Sequence, residues 1–387
     1  MKSIFACLIL LISFVVKAQT PADRLVLEHK PYLQALTDST VTVVWSTNKP
    51  SVAWVELLPN DGSSFYQEER PRYHDVAYGF KRIDTLHQVR LEGLKPNTTY
   101  RYRVYAQDIL KHKGNYIEYG EIVANDVWQN KPYQFTTAGV KDTLLFFMVN
   151  DIHGDNALLK DLVSQNDLSK TDFAILNGDM ANQLLSKKQM FTDFMNTTSD
   201  LLNGSVPFYY ARGNHETRGQ FAFAYPTYFP TSNNKLYYTF SYNDILFIVL
   251  DPGEDKPDTD LEYYGITRMD DYRTEQAEWL AKLVLTPAFQ HAKHRIVISH
   301  MPPVGDWHGA IDWDRKISPI LNKAKIDIML SAHWHVHKYF EANAQHQFPI
   351  LINSNVHALK GIFTAKESRL DVLDRQGKKV TSVYLKK

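Results

Sequence analysis

Six short apolar runs in the second half of this chain each stop on a side chain able to hold a metal ion, which restricts the fold more than any other feature. They are Leu144 to Asp151, Phe173 to Asp179, Val206 to Asn214, Ile245 to Asp251, Arg295 to His300 and Ile326 to His333. Runs of this length read as buried strands. Between several of them lie helix-like stretches, Ala157 to Val163, Lys187 to Met195 and Thr274 to Leu283. The alternation predicts an α/β layered domain over 142–387. In such sheets the carboxyl ends of the strands form the edge where ligands gather. The segments Pro252 to Asp271 and Met301 to Lys316 read as long loops, the usual place for substrate selection.

The first half has another rhythm. From residue 24 to 137, alternating segments such as Thr40 to Trp45, Val52 to Leu57, His87 to Leu91 and Tyr100 to Tyr105 are separated by Asn, Asp, Gly and Pro. Strands of this kind predict an antiparallel β-sandwich, with Trp45 and Trp54 in its core. The run Leu91-Glu92-Gly93-Leu94-Lys95-Pro96-Asn97-Thr98-Thr99-Tyr100 resembles fibronectin type III domains. The resemblance implies that the hydroxyl of Tyr100 bonds back to the preceding corner.

The remaining constraints come from the ends and the composition. Lys2, the apolar run Ile4 to Val16 and the small-residue end Val16-Lys17-Ala18 predict a signal peptide over residues 1–18, and so a protein exported to the periplasm or secreted. That run falls short of the roughly 20 residues that span a bilayer, so no membrane span is expected after cleavage. Lys plus Arg and Asp plus Glu both number 43. This balance offers no attraction for nucleic acid or an anionic surface. The one cysteine, Cys7, lies inside the signal run, so any metal in the mature chain must be held by nitrogen and oxygen.

Five motifs supply such atoms. Asp151-Ile152-His153 puts two donors two residues apart, on one side of an extended chain. Gly178-Asp179 lets backbone approach closely and offers a carboxylate that can bridge two cations. Gly213-Asn214-His215-Glu216 adds a neutral amide oxygen, His300 a lone imidazole, and His333-Trp334-His335 two more. A single such His is more often structural; five motifs in order, each at a strand end, are not five accidents.

This ordered set resembles the calcineurin-like metallophosphoesterase superfamily, and with the sandwich in front the chain is similar to purple acid phosphatases. The resemblance implies a four-layer α-β-β-α catalytic domain that hydrolyses small phosphate monoesters through a metal-bridging hydroxide. It assigns Asp151, His153 and His335 to one ion and Asn214, His300 and His333 to a second. Asp179 would bridge the two, and His215 would protonate the leaving group. The ions would be divalent or trivalent iron, manganese or zinc. The purple subgroup has Gly at the position of His153 and, three residues after the bridging Asp, a Tyr where this chain has Asn182; the purple band should therefore be missing. Ala332 stands where the family usually has Gly, and it should do little harm unless that position needs positive φ.

Arg212 and His308 are further candidates for substrate binding at the rim. A phosphodiesterase or nucleotide pyrophosphatase is the near alternative, since the same donors serve both. A degenerate enzyme that binds glycans through exposed aromatics is the remote one.

Overall fold

The computed structural model describes residues 24–385, so the signal-peptide segment lies outside the described residues. Among the described residues no helix is long and apolar enough to cross a membrane.

The sandwich is organised around one 19-residue strand, Val41–Pro59. Its first half pairs with Leu27–Gln34 and Ile83–Leu91, and its second half with Thr99–Lys113 and Arg72–His74. The register breaks between Ser46 and Ser51, where Pro50 interrupts the ladder and the strand passes from one layer to the other. Because side chains alternate, Val41, Val43, Trp45, Ala53, Val55 and Leu57 all face the core. Trp54 has the opposite parity and is buried on the other face of the strand, stacked on Tyr105 at 5.1 Å and covered by Arg72. Both tryptophans are thus buried as expected, Trp45 within the sandwich core and Trp54 on the opposite face of the strand. Tyr100 Oη accepts from the amide of Lys95 at 2.9 Å, which is the corner bond expected of it.

The C-terminal domain has two six-stranded sheets. The first runs Phe208–Ala211, Phe173–Asn177, Thr143–Val149, Ala358–Thr364, Ser368–Leu373 and Lys379–Tyr384. The second runs Tyr238–Tyr242, Ile245–Leu250, His294–Ser299, Ile328–Ser331, Ile350–Ile352 and Lys338–Phe340. In the first sheet Phe208–Ala211, Phe173–Asn177 and Thr143–Val149 pair in parallel and the other three strands antiparallel, and in the second the four strands from Ile245–Leu250 to Ile350–Ile352 pair in parallel. The sheets stack face to face: Phe146 and Phe173 of the first meet Phe247 of the second at 5.5 and 5.3 Å. Helices Asn156–Ser164 and Asn196–Leu202 cover the outer face of the first sheet, and helices Met269–Leu283 and His308–Ala324 that of the second. The result is the four-layer α-β-β-α order. It buries strand residues on both faces, which explains why they read as continuous apolar runs.

Two expectations need correction. Met301 to Lys316 is not a loop throughout, because helix His308–Ala324 takes up its second half. The loop after Pro252 ends at Met269, where the next helix starts, two residues before the expected boundary.

The sandwich docks on the C-terminal domain. Tyr32 Oη donates to the carbonyl of Tyr228 at 2.8 Å, and Tyr102 Oη to that of Gly204 at 2.7 Å. His29 stacks on Phe191 at 3.6 Å, within a π-turn at Phe191–Met195, and its Nδ1 lies 2.8 Å from Asn196 Oδ1. Buried aromatic area with its polar tips bonded makes this a fixed junction.

Candidate metal centre

At the carboxyl edge, the parallel strands of both sheets deliver their terminal residues into one crevice. The loop after Thr143–Val149 is held against the loop after Phe173–Asn177 by three backbone bonds of 3.0 Å, from Asp151, His153 and Gly154 to the carbonyls of Gly178, Asp179 and Met180. The backbone here is not extended. Asp151, His153, Asp179, His333 and His335 all have φ between 51° and 72°, the left-handed region that non-glycine residues avoid. The two-residue spacing of each pair therefore aims its donors by tight turns and not by strand alternation. Clustered strain of this kind persists where the surroundings impose it, and it is typical of functional sites. Ala332 is outside that region.

Glycine is required at two of these turns. A Cβ on Gly178, at φ 78°, would come within 2.4 Å of His300 Nδ1. One on Gly213 would lie 2.2 Å from Asp179 Oδ1. The loops can close around Asp179 only because both side chains are missing.

The donors fall into two groups, Asp151, His153 and His335, and Asp179, His300 and His333; within each, the ligand atoms lie within 4.8 Å of one another. Asn214 Oδ1 joins the second, 3.0 Å from His333 Nδ1. The groups abut: His300 Nε2 is 3.1 Å from Asp179 Oδ2 and 3.8 Å from Asp151 Oδ1. His153 Nε2 and His335 Nε2 face each other across 3.2 Å.

Backbone and amide partners aim these atoms. Asp151 Oδ2 accepts from Asn150 Nδ2 at 2.7 Å and from the amide of His333 at 3.1 Å. His300 Nδ1 donates to the carbonyl of Asn177 at 2.6 Å. What remains, Asp151 Oδ1 and His300 Nε2, is buried without a hydrogen-bond partner. Orphaned polar atoms aimed at one point cost free energy unless a cation satisfies them, so the donor set fits a pair of metal ions.

The electrostatics agree. Burial disfavours charge on His300, but Asp179 and Asp151 outweigh it and push its pKa up to about 10. Burial would raise Asp179, yet His300 holds it well below the usual carboxylate range. Burial, reinforced by His300, pushes His333 down to about 4, leaving its lone pair available.

His215 sits outside both groups. Its amide donates to Asp179 Oδ1 at 3.0 Å and its Nδ1 bonds the carbonyl of Asn182 at 2.7 Å, leaving Nε2 3.9 Å from Asp179 Oδ2. Arg212 is ion-paired with the fully buried Asp251 at 2.8 Å, and His308 Nε2 lies 2.8 Å from Asp270.

Sequence reasoning quoted Glu216 without giving it a role. Its buried carboxylate accepts from the amides of Asp179, Met180 and Gly213 at 2.9, 2.7 and 2.9 Å, tying the loop that carries Asp179 to the one that carries Asn214. A second anchor, Glu254, accepts from Arg218 and Tyr263 and straps the loop after Pro252 to the same segment. Only the place of Glu216 in its tetrad hinted at the first; nothing local marked the second.

Comparison with known proteins is consistent with this geometry. Residues 144–337 match the calcineurin-like phosphoesterase family model, and residues 29–137 match the purple acid phosphatase N-terminal domain. No curated protein matches the chain. Among solved structures, the purple acid phosphatase PPD1 from yellow lupin (Lupinus luteus) seeds is similar with a TM-score of 0.64 at 15% identity, over 92% of this chain and 73% of that one. The phosphoesterase Yfce from E. coli aligns over 63% of this chain and 100% of its own, at 11% identity and a TM-score of 0.32. The two sheets, the donors at their shared edge and the matched residues lead to one statement: the chain belongs to the calcineurin-like phosphoesterase family and carries a purple acid phosphatase N-terminal domain.

Proposed function

We propose that the protein hydrolyses phosphate monoesters at a pair of iron, manganese or zinc ions. The observation that carries this reading is the meeting of two donor groups around Asp179 and Asp151, with unpartnered atoms aimed inward. Imidazole, carboxylate and amide oxygen together suit those ions. When bound, such a pair supplies charge to the phosphate oxygens and a water acidic enough to act as a nucleophile near neutral pH.

The chain's own residues do the rest. Asp151, His153 and His335 would hold one ion, Asn214, His300 and His333 the other, with Asp179 between them. Asn177 fixes the ring of His300 so that Nε2, not Nδ1, would be offered to the ion. His215, held at Nδ1 by Asn182, has Nε2 free to give a proton to the departing alkoxide. Arg212, paired through Nη2 with Asp251, and His308, paired through Nε2 with Asp270, would contribute to the rim through those partners. Asn182 in place of the subgroup's Tyr means no tyrosinate on iron and no purple band. The leader pattern at 1–18 supports export.

Turnover of p-nitrophenyl phosphate and bis-p-nitrophenyl phosphate, compared across several divalent metals, tests the reading. The monoester should be favoured at least tenfold. Preference for the diester would make the protein a phosphodiesterase, and inactivity on both with ions bound would favour the glycan-binding alternative.

A further inference from the structure

The rim of the second donor group is aromatic. Trp307, the residue before helix His308–Ala324, places its ring 5.3 Å from the ring of His333. No other tryptophan or tyrosine among the described residues makes a ring contact with one of the proposed ligands. The side chain is partly exposed, while its neighbour His308 is turned to Asp270.

The indole is also fixed. Its Nε1 donates to Met301 Sδ at 2.9 Å, so the one polar atom of the ring is engaged within the protein. Trp334 packs edge-on at 6.0 Å. Gly305, at φ 137°, lets backbone lie against the ring where any Cβ would fall 2.1 Å from it. A flexible surface tryptophan needs none of these restraints. A rigid apolar plane beside a phosphate site offers a stacking partner, whose pairing with another ring gains free energy beyond simple burial.

We propose that Trp307 is a specificity-determining residue that contacts the ester group, and that the preferred substrates carry an aromatic ring next to the phosphate. This rests on the phosphoesterase reading and names its substrate class. The plane supplies no charge and no free donor, so it favours a planar apolar group over a sugar or short alkyl chain of the same charge.

Phosphonates test this without the complication of leaving-group acidity. Inhibition constants of phenylphosphonate and methylphosphonate are measured on the metal-loaded protein and on Trp307→Leu, with metal content determined for both. The parent should bind phenylphosphonate at least tenfold more tightly, and the variant should lose most of that preference while keeping its ions and its affinity for methylphosphonate. Equal inhibition of the parent by both compounds would overturn the inference, as would a variant weakened equally toward both, which would make the indole a mere support for His333. Activity on p-nitrophenyl phosphate separates the two levels: a parent that turns it over without phenyl preference refutes only the role of Trp307, whereas a metal-loaded parent that turns over no ester refutes the phosphoesterase reading as well.

Discussion

His300 donates its Nδ1 proton to the carbonyl of Asn177 across 2.6 Å, and this leaves Nε2 as the only ring atom that faces the donor cluster. In the metal-free chain that Nε2 keeps a proton up to about pH 10, because Asp179 and Asp151 stabilise the imidazolium against its burial. A metal ion needs the same lone pair, so loading must expel the proton. Below pH 10 the affinity should rise with pH, by up to tenfold per unit from this residue. Calorimetric titration with metal in two buffers of different ionisation enthalpy should show at least one proton released per chain at pH 7. No release would contradict the assignment.

His215 is held at Nδ1 by Asn182 and lies outside both donor groups. His215→Ala should therefore keep both ions and lose roughly 100-fold or more in turnover of alkyl phosphates, whose poor leaving groups need a proton. The loss should be smaller with p-nitrophenyl phosphate. Equal losses on the two substrates would remove His215 from proton transfer.

Glu216 gathers backbone amides from two loops. In Glu216→Gln an amide group with its own N–H bonds meets those donors, at a cost of about 3 kcal/mol for the bonds lost. A lower melting temperature and weaker metal binding should appear together. A variant unchanged in both would show that the loops are held by other means.

The sandwich should be sensitive to acid. His87 is buried beside Trp45, its Nε2 2.9 Å from Thr47 Oγ1 and 3.1 Å from Ser51 Oγ, and burial pushes its pKa down to about 4. The unfolded chain takes up this proton near pH 6.5 and the folded one only near 4. The stability lost is therefore nil above about pH 6.5, grows as pH falls to about 4, and reaches about 3 kcal/mol. His87→Gln keeps a hydrogen-bonding group there without titrating. Melts at pH 7 and pH 4.5 should show a smaller acid loss in the variant than in the parent, and equal losses would contradict the assignment.

Much of this was legible in the sequence because buried parallel strands leave a strong apolar signal and each ends on a donor. The donors were found by position, yet the reason they converge was hidden. Asp151 and His153 are aligned by left-handed turns that only the packed loops of Gly178 and Gly213 sustain. The helix at His308–Ala324 was obscured by the Pro302-Pro303 and Gly305 that precede it and by Pro319 within it. Trp54 is buried, as expected of a tryptophan, but strand parity, countable from Trp45, places it on the opposite face of the strand. Glu254 could not be found at all, since its partners Arg218 and Tyr263 lie in other segments and carry no common pattern.

The central claim is that seven donors from five strand ends hold two ions. Native mass spectrometry of the reconstituted protein, with elemental analysis, measures this directly. The account predicts two transition-metal ions per chain, and the loss of one or both in Asp179→Asn. A parent that retains one ion or none under the same conditions would contradict it.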